Sequence, residues 1–141
     1  MLKAVYDTNV VVSGLISSRG IPALVLDLVF NKRISLCLSP EIFHEDSSVL
    51  GRPKFGIPKR RRDSVFRVIR SLSEWVEPDQ RITVAGDPDD NIILECAVAG
   101  AVDFIVTGNL RHFPETIKQI PVVNPRQFLD VYLRSLIDNE I

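Results

Sequence analysis

Three acidic side chains lie beside apolar stretches of the sequence, where they could act together. Asp7 directly follows the first apolar stretch, and Asp90 is the last acid of a turn that leads into another. Glu45 lies about two turns into a predicted helix. Carboxylates that meet at one place repel each other unless a cation neutralises them, so a shared metal ion is their natural occupant. Because these ligands are all oxygen atoms, the pattern favours Mg²⁺ or Mn²⁺ over zinc.

The ions that such a site selects also indicate its chemistry. Mg²⁺ and Mn²⁺ usually retain several waters and bind phosphate oxygens, which suits the hydrolysis of a phosphodiester bond. Asn109 follows a later apolar stretch and would add an amide oxygen beside the carboxylates, with Thr107 two residues before it. The two histidines, His44 and His112, are too isolated in the sequence to argue for a transition-metal site.

Each acid also has a purely structural interpretation. Asp87, Asp89 and Asp90 could cap a helix and complement its dipole. Asp7 could hold a tight turn through a hydrogen bond between its side chain and a nearby backbone N–H. A metal site therefore exists only if the fold brings the separate acids together.

The elements that must position these acids alternate along the chain. Apolar stretches predict buried strands at Lys3–Tyr6, Ile34–Leu38, Phe104–Val106 and Ile120–Val123. Helical patterns separate them, which predicts a mostly parallel sheet covered on both faces. In such sheets, ligands bind beyond the carboxyl ends of the strands, where the strand order reverses. Asp7 and Asn109 both follow strand ends of this kind.

Proline and capping residues mark the helices. Pro22 fits the first turn of one helix, for which the predicted core-facing side chains are Leu24, Val25, Leu28 and Val29. Ser39 is the predicted N-cap of the next helix, which carries Glu45 on the boundary of its buried side. A third helix, from Lys59 to about Ser73, is basic and amphipathic.

One acid conflicts with this pattern. Asp46 falls near the middle of the buried stripe of its helix, where a charge is costly unless it is paired. Three interpretations follow: Asp46 joins the site, it meets an arginine, or the predicted phase of the helix is wrong.

Length and composition indicate an ordinary globular protein. The chain has 141 residues, of which 45% are hydrophobic and 25% charged, so residues 1–141 are expected to form a single domain. The longest apolar stretch, Ile21–Phe30, is interrupted by Pro22 and Asp27 and is too short to span a bilayer. We expect no membrane association and a cytoplasmic location. Cys37 and Cys96 lack CxxC spacing and are expected in the core.

Positive charge is concentrated in one part of the chain. The net charge of the whole chain is −1, yet residues 52–70 carry eight Lys or Arg residues and a single acid, Asp63. A basic flank beside a carboxylate site suggests a polyanionic partner, and a solvated helix face is the alternative. The residues predicted to contact such a partner are Lys59, Arg60, Arg61 and Arg62.

The motifs of the chain resemble the PIN-domain family, and in particular its toxin-type branch related to VapC. The matching segments are YDTNVVVSGL, LSPEIFHE, DPDDNIILECAVAGAVDFIVTGN, HFP and NPRQFL. The resemblance implies an α/β/α sandwich with about four to five strands. It also implies an endoribonuclease that depends on Mg²⁺ or Mn²⁺ and cuts single-stranded or loop RNA. Proteins of this branch are often paired with a neutralising antitoxin and often form homodimers.

The resemblance assigns roles to individual positions. It implies that Asp7, Glu45 and Asp90 are the metal-binding acids, with Thr8 and Asn9 as supporting residues. Thr107 and Asn109 match the segment that carries the fourth polar position, where many PIN domains have Asp. An Asn there keeps an oxygen ligand but removes a negative charge, which should weaken a second metal site.

Two other functions remain open at this stage. A catalytically silent PIN-like module would bind RNA or a protein partner without cutting, and Asn109 is the residue that favours it. A phosphoryl-transfer enzyme with an aspartyl nucleophile would require a Lys at a later strand end, where the sequence has only Thr107-Gly108-Asn109. The last helix could serve as a dimer surface or could cover the sheet, because its apolar side carries Phe128, Leu129, Tyr132 and Leu136.

Overall fold

The computed structural model describes residues 1–140 as alternating strands and helices. The strands are β1 (Lys3–Tyr6), β2 (Ser35–Leu38), β3 (Glu74–Trp75), β4 (Phe104–Val106), β5 (Thr116–Ile117) and β6 (Ile120–Val123). The helices are α1 (Thr8–Ile16), α2 (Ile21–Phe30), α3 (Pro40–Leu50), α4 (Lys59–Leu72), α5 (Pro88–Gly100) and α6 (Pro125–Glu140). Two short 3₁₀ helices lie at Pro53–Phe55 and Leu110–His112.

The six strands form one sheet in the order β3-β2-β1-β4-β6-β5. All neighbouring pairs are parallel except β5 and β6, which are antiparallel. Four strands match the predicted ones, and the two-residue strands β3 and β5 at the edges bring the number to six. The chain adds β2 and β3 on one side of β1 and then places β4 on the other side, so the strand order reverses between β1 and β4.

Helices cover the sheet, and the predicted α/β/α fold is confirmed. Helix α5 packs on β1, β2 and β4, while α6 packs on β4 and on α2. Phe128 of α6 is fully buried, with its ring 5.9 Å from that of Tyr6 and 5.8 Å from that of Phe104. Tyr132 is 9% exposed. The apolar side of α6 therefore covers the sheet, which was one of its two predicted roles.

One predicted core position, Leu24, is wrong, and Leu136 does not share the burial of the other residues predicted on the apolar side of the last helix. Leu24 of α2 is 49% exposed and Leu136 of α6 is 42% exposed. The phase of α2 is set instead by a close approach to α1 at Gly14, where an added Cβ would lie 3.1 Å from Leu26. Leu26 thus faces the core, and Leu24 points away from it.

Within residues 1–140, no single helix is long and apolar enough to cross a membrane. The pair α1 and α2 reaches the required length and composition only when both are taken together, and the two helices meet at an angle of 97°.

Candidate active site

Asp7 lies where β1 ends and α1 begins. Its side chain is 7% exposed and accepts three hydrogen bonds. Oδ1 accepts one from the backbone N–H of Thr8 at 2.8 Å, which makes Asp7 the N-cap of α1. Oδ2 accepts two, from the hydroxyl of Thr107 at 2.7 Å and from the side-chain amide of Asn9 at 3.1 Å. The carboxylate therefore has one fixed orientation.

The turn after β4 joins this arrangement from the neighbouring strand. Thr107 is fully buried, and its hydroxyl also accepts a hydrogen bond from the backbone N–H of Asn109 at 3.0 Å. The backbone N–H of Gly108 donates to Oδ1 of Asn9 at 3.1 Å. Because Asn9 and Thr107 both hold Asp7, they connect the carboxyl ends of β1 and β4 where the strand order reverses.

Asp90 lies in the first turn of α5, and the loop before it is tied to the same helix. Asp87 is the N-cap of α5 and accepts a hydrogen bond from the backbone N–H of Asp89 at 2.9 Å. The side chain of Asn91 binds the backbone of Ala85 twice, at 2.9 Å and 3.1 Å. Sequence reasoning missed Asn91, although an amide directly after an acidic turn is a signal for such a contact.

A second contact from α5 holds the same loop one turn further along the helix. Glu95 is 8% exposed and accepts a hydrogen bond from the backbone N–H of Ile82 at 2.9 Å. Sequence reasoning also missed Glu95, and its position within an apolar helix was the available signal. The segment 82–84 has no helix or strand, and this contact fixes its first residue against α5.

Glu45 reaches the site from α3. The hydroxyl of Ser39 caps this helix by accepting a hydrogen bond from the backbone N–H of Ile42 at 3.3 Å, as predicted. Glu45 is half-buried at the boundary of the buried side. Its neighbour Asp46 is only 2% exposed.

Asp46 is buried behind Thr8, which lines the cleft described below. The hydroxyl of Thr8 donates a hydrogen bond of 2.6 Å to Oδ1 of Asp46, which links the start of α1 to α3. Burial raises the pKa of Asp46 to about 7; the Thr8 hydrogen bond opposes this rise, and repulsion from Asp7 and Glu45 adds to it. Of the three interpretations that the sequence left open, the wrong helix phase is excluded because Asp46 is buried, and its hydrogen-bond partner is Thr8 of the cleft rather than an arginine.

The acids line one open cleft of about 410 Å³. It brings together the predicted residues Asp7, Thr8, Asn9, Glu45, Asp90 and Asn109. Thr107 lies beneath Asp7 and is buried. The remaining lining residues are Val12, Ser13, Ile16, Val49, Arg52, Lys54, Phe55, Asp87 and Asp89.

The acids of the cleft have electrostatic properties that favour a cation. Burial raises the pKa of Asp7, and hydrogen bonds from Thr107 and Thr8 partly offset this effect. Burial also raises the pKa of Asp90, and electrostatic repulsion from Asp7 and Asp87 raises it further. A positive ion in the cleft would favour the ionised forms of Asp7 and Asp90 and would thereby oppose both effects.

A comparison with known families decides the classification of this fold and cleft. The family model described as the PIN domain matches residues 3–111, which include β1 to β4, α1 to α5 and every acid of the cleft. The chain belongs to the PIN-domain family. Proteins of this family are generally nucleases, and they typically use divalent metal ions.

A relative extends the similarity beyond the matched PIN domain. An uncharacterized protein from Methanocaldococcus jannaschii is 29% identical over 143 residues. The similar region covers 93% of this chain and 92% of the relative. It therefore includes most of the segment after residue 111, which contains β5, β6 and α6.

The donor groups of this PIN domain fit a hard divalent ion. A carboxylate oxygen has about two lone-pair sites, so Oδ1 of Asp7 keeps one free beside its single hydrogen bond. Within residues 1–140, the carboxylates of Glu45 and Asp90 accept no hydrogen bond from the protein. In the same residues, no three acids, imidazoles or thiols already stand at ligand spacing. The ion would thus be held partly through waters, as is usual for Mg²⁺.

His112 stands beside the acids of this PIN domain, although the sequence gave it no role. Its Nδ1 lies 3.7 Å from Oδ2 of Asp90. When protonated, it favours ionised Asp7 and Asp90 and lowers the pKa of both. The signal in the sequence was its position three residues after Asn109, at the exit of β4.

The basic residues predicted to contact RNA lie outside the cleft. None of Lys59, Arg60, Arg61 and Arg62 is among its lining residues. Lys59 instead forms an ion pair with Asp63 at 2.9 Å. Arg62 is half-buried, and its Nε donates to the backbone carbonyl of Ile57 at 3.1 Å. The basic side chains that do line the cleft are Arg52 and Lys54.

Proposed function

We propose that this PIN domain is a divalent-metal-dependent endoribonuclease that hydrolyses phosphodiester bonds of single-stranded or loop RNA. The observation that carries the proposal is that Asp7, Glu45 and Asp90 line one open cleft where the strand order reverses. These residues come from three separate parts of the chain, and capping or turn formation does not account for their convergence. The openness of the cleft suits a long polymer.

In this proposal, Asp7, Glu45 and Asp90 hold Mg²⁺ or Mn²⁺, directly or through waters. The bound ion would supply an activated water and would offset the charge of the phosphate. Thr107 and Asn9 fix the orientation of Asp7 through the hydrogen bonds described above. Asn109 is exposed at the rim of the cleft, where its amide would position a water or the substrate.

The direct test is cleavage of an unstructured RNA by purified protein in Mg²⁺. We expect Asp7→Asn to lower the rate by more than about 100-fold, because the loss of an outer-shell partner alone costs 10–100-fold. Glu41→Gln is the matched control, since Glu41 is an exposed first-turn acid of α3 outside the cleft. Equal cleavage by Asp7→Asn and the unsubstituted protein would disprove the assignment.

The resemblance to toxin-type PIN domains supports a finer proposal about the biological setting. We propose that the protein acts in the cytoplasm as the toxin of a toxin-antitoxin pair. A neighbouring gene for a small DNA-binding protein, whose product suppresses the RNA cleavage, would support this proposal. Unrestrained cleavage in the presence of that product would contradict it.

Asn109 favours an alternative in which the domain binds RNA or a protein partner but cuts weakly or not at all. The two functions are separated by Asn109→Asp, which restores the charge that many PIN domains carry. A gain of Mn²⁺-dependent cleavage would indicate that Asn109 weakens the natural site. Unchanged strong cleavage would indicate a working nuclease.

A further inference from the structure

A short basic segment continues directly from the helix that carries Glu45. Helix α3 ends at Leu50, and after Gly51 the chain forms the 3₁₀ helix Pro53–Phe55. We call Arg52–Phe55 the basic arm. Arg52, Lys54 and Phe55 all line the cleft that contains the acids. A cationic wall therefore stands in the same cleft as the anionic one.

The basic arm has a defined backbone. The N–H of Arg52 donates to the carbonyl of Val49 at 3.1 Å, and the N–H of Phe55 donates to that of Arg52 at 3.1 Å. The N–H of Gly56 then donates to Pro53 at 3.0 Å. Gly56 has φ +60°, a conformation that glycine adopts without strain, and it ends the turn. The arm is thus held in place relative to Glu45.

The side chains of the arm are suited to two parts of a nucleotide. Arg52 and Lys54 are exposed, and within residues 1–140 neither forms an ion pair with an acid. Their charges are therefore available to phosphate groups. Phe55 is half-buried against the core and contributes to the cleft wall. Lys54 Nζ lies over the Phe55 ring, 5.0 Å from its centroid, so a base that stacks on this face takes the place of the ammonium, which is then free to bind phosphate.

The more strongly basic helix α4 differs from the arm in what its charges contact. Lys59 is paired with Asp63, and Arg62 packs so closely over Gly51 that an added Cβ there would meet its guanidinium at 2.6 Å. Arg62, Arg67 and Arg70 line a separate pocket with Phe43 and Phe66. Arg60 and Arg61 of α4 are exposed, so it is position in the cleft that favours the arm over α4.

We propose that the basic arm is the substrate-binding subsite of this domain and that it selects single-stranded RNA. Arg52 and Lys54 bind the phosphates that flank the scissile one, and the ring of Phe55 stacks against an unpaired base. Stacking on an aromatic ring is tolerant of sequence and requires a base that is not already paired. This inference rests on the proposed function, because it takes the acids of the same cleft as the reactive centre.

The test is the salt dependence of binding to a fluorescent single-stranded RNA, measured by anisotropy with Ca²⁺ as the only divalent ion. We expect the pair Arg52→Gln and Lys54→Gln to bind more weakly and to reduce the slope of log K against log salt by about 1.4, since each phosphate contact on a single strand contributes about 0.7. The matched control is Lys32→Gln with Arg33→Gln, which removes two exposed charges just before the amino end of β2, whereas the cleft lies at the carboxyl ends of the strands. The control should leave the slope unchanged.

A competing variant pair decides between the arm and α4. Arg60→Gln with Arg61→Gln removes two exposed charges from α4, and we expect a smaller change than in the arm pair. An equal or larger change in the α4 pair would overturn the inference, as would an absence of RNA binding by the unsubstituted protein.

The aromatic part of the subsite has its own test. Phe55→Leu should weaken binding of the single strand by roughly 5- to 150-fold, the range expected for the loss of one stacked base. Phe55→Tyr should restore binding, because it keeps the ring. A duplex of the same sequence should bind equally to all three proteins. Equal losses for single strand and duplex in Phe55→Leu would overturn the stacking assignment.

The binding measurements are independent of cleavage. If the arm variants lose RNA binding but the unsubstituted protein does not cut RNA, the subsite is supported and the proposed nuclease function is not. If the protein cuts RNA but the arm variants bind it normally, the nuclease function is supported and the subsite is overturned.

Discussion

Asp7 is the residue at which the contacts of the candidate site meet. Its side chain caps α1 at Thr8 and accepts a hydrogen bond from the Asn9 amide on the same helix. It also accepts a hydrogen bond from the hydroxyl of Thr107, which follows the neighbouring strand β4. The sequence correctly placed Asp7 and Asn109 at strand ends, because strand ends and turns are local features. It gave no sign of which donors would hold Asp7, since Thr107 lies 100 residues away in the chain.

Thr107 gives the first prediction at this scale. Thr107→Val keeps the shape of the side chain but removes the donor to Asp7 and the acceptor for the N–H of Asn109. Because outer-shell partners orient a metal ligand, we expect Mg²⁺ affinity or activity to fall by about 10–100-fold. A Mg²⁺ titration of the cleavage rate measures this. Thr107→Ser keeps the hydroxyl and should stay within a few-fold of the natural protein; an equal loss in both variants would contradict the role.

Asp46 gives a prediction about pH. Its folded-state pKa of about 7 lies above the unfolded value of 3.8, so folding favours the protonated form. This contribution to stability is fully present below about pH 4 and is lost as the pH rises to about 7. The difference of about three units corresponds to a loss on the order of 4 kcal/mol in the metal-free protein.

Urea unfolding of metal-free protein from pH 4 to pH 8 tests this effect. Asp46→Asn keeps an acceptor for the Thr8 hydroxyl but cannot ionise, so its stability relative to the natural protein should rise across this range. A constant difference between the two proteins would contradict the buried position and the raised pKa of Asp46.

At the scale of elements, the site depends on how α5 holds the loop that precedes it. Asn91 and Glu95 lie four residues apart on this helix and bind the backbone of Ala85 and Ile82. The acidic turn that carries Asp90 is thereby fixed against the helix. The sequence predicted the capped helix itself but not these contacts, because a side chain of α5 can bind many backbone groups of an irregular loop.

Asn91 gives the prediction for this element. Asn91→Leu leaves the N–H and carbonyl of Ala85 without their partner, which should cost about 1–3 kcal/mol if they stay buried. If the loop opens instead, the amide of Ala85 should lose its protection from hydrogen exchange. Asn91→Asp keeps the acceptor for that amide and is the matched comparison. Unchanged stability together with unchanged exchange would contradict the anchoring role.

Other element-scale differences between sequence and structure have simple physical causes. The N-caps Ser39 and Asp87 were predictable because capping depends on neighbouring residues. The phase of α2 was not, since it depends on the close approach of two helices at Gly14. The contact between Thr8 and Asp46 joins residues 38 apart. The sequence likewise did not show that the basic arm lines the cleft, because this depends on how the chain folds after α3.

At the scale of the whole molecule, the sheet, its helices and the cleft share one core, which favours a single folding unit. We propose that residues 1–141 unfold in one transition, which thermal unfolding would show as a single step.

Mg²⁺ should raise the free energy of unfolding at pH 8 by about 2.7 kcal/mol at 100 times its dissociation constant, because it binds only the folded cleft. Thermal unfolding with and without Mg²⁺ measures both effects.

A variant of one acid distinguishes specific binding from a general salt effect. Glu45→Gln should lose most of the stabilisation by Mg²⁺, whereas Glu41→Gln should retain it. Two separate transitions would contradict the single domain, and an equal Mg²⁺ effect in both variants would contradict the metal site.

The C-terminal helix leaves a further question at this scale. Phe128 and Tyr132 are used in the core, while Leu133, Leu136 and Ile137 are between 42% and 61% exposed. The predicted homodimer would therefore use this second side of α6 rather than the buried one. The dimer stays a prediction, which the sedimentation of the protein at several concentrations would test.

The most direct test of the central claim is Mg²⁺-dependent internal cleavage of an unstructured RNA by four proteins: the natural chain, Asp7→Asn, Glu45→Gln and Asp90→Asn. The account predicts that the natural chain cuts, that EDTA abolishes cutting, and that each variant loses most of the activity while remaining folded. Cleavage that persists in EDTA, or that survives in all three variants, would contradict it.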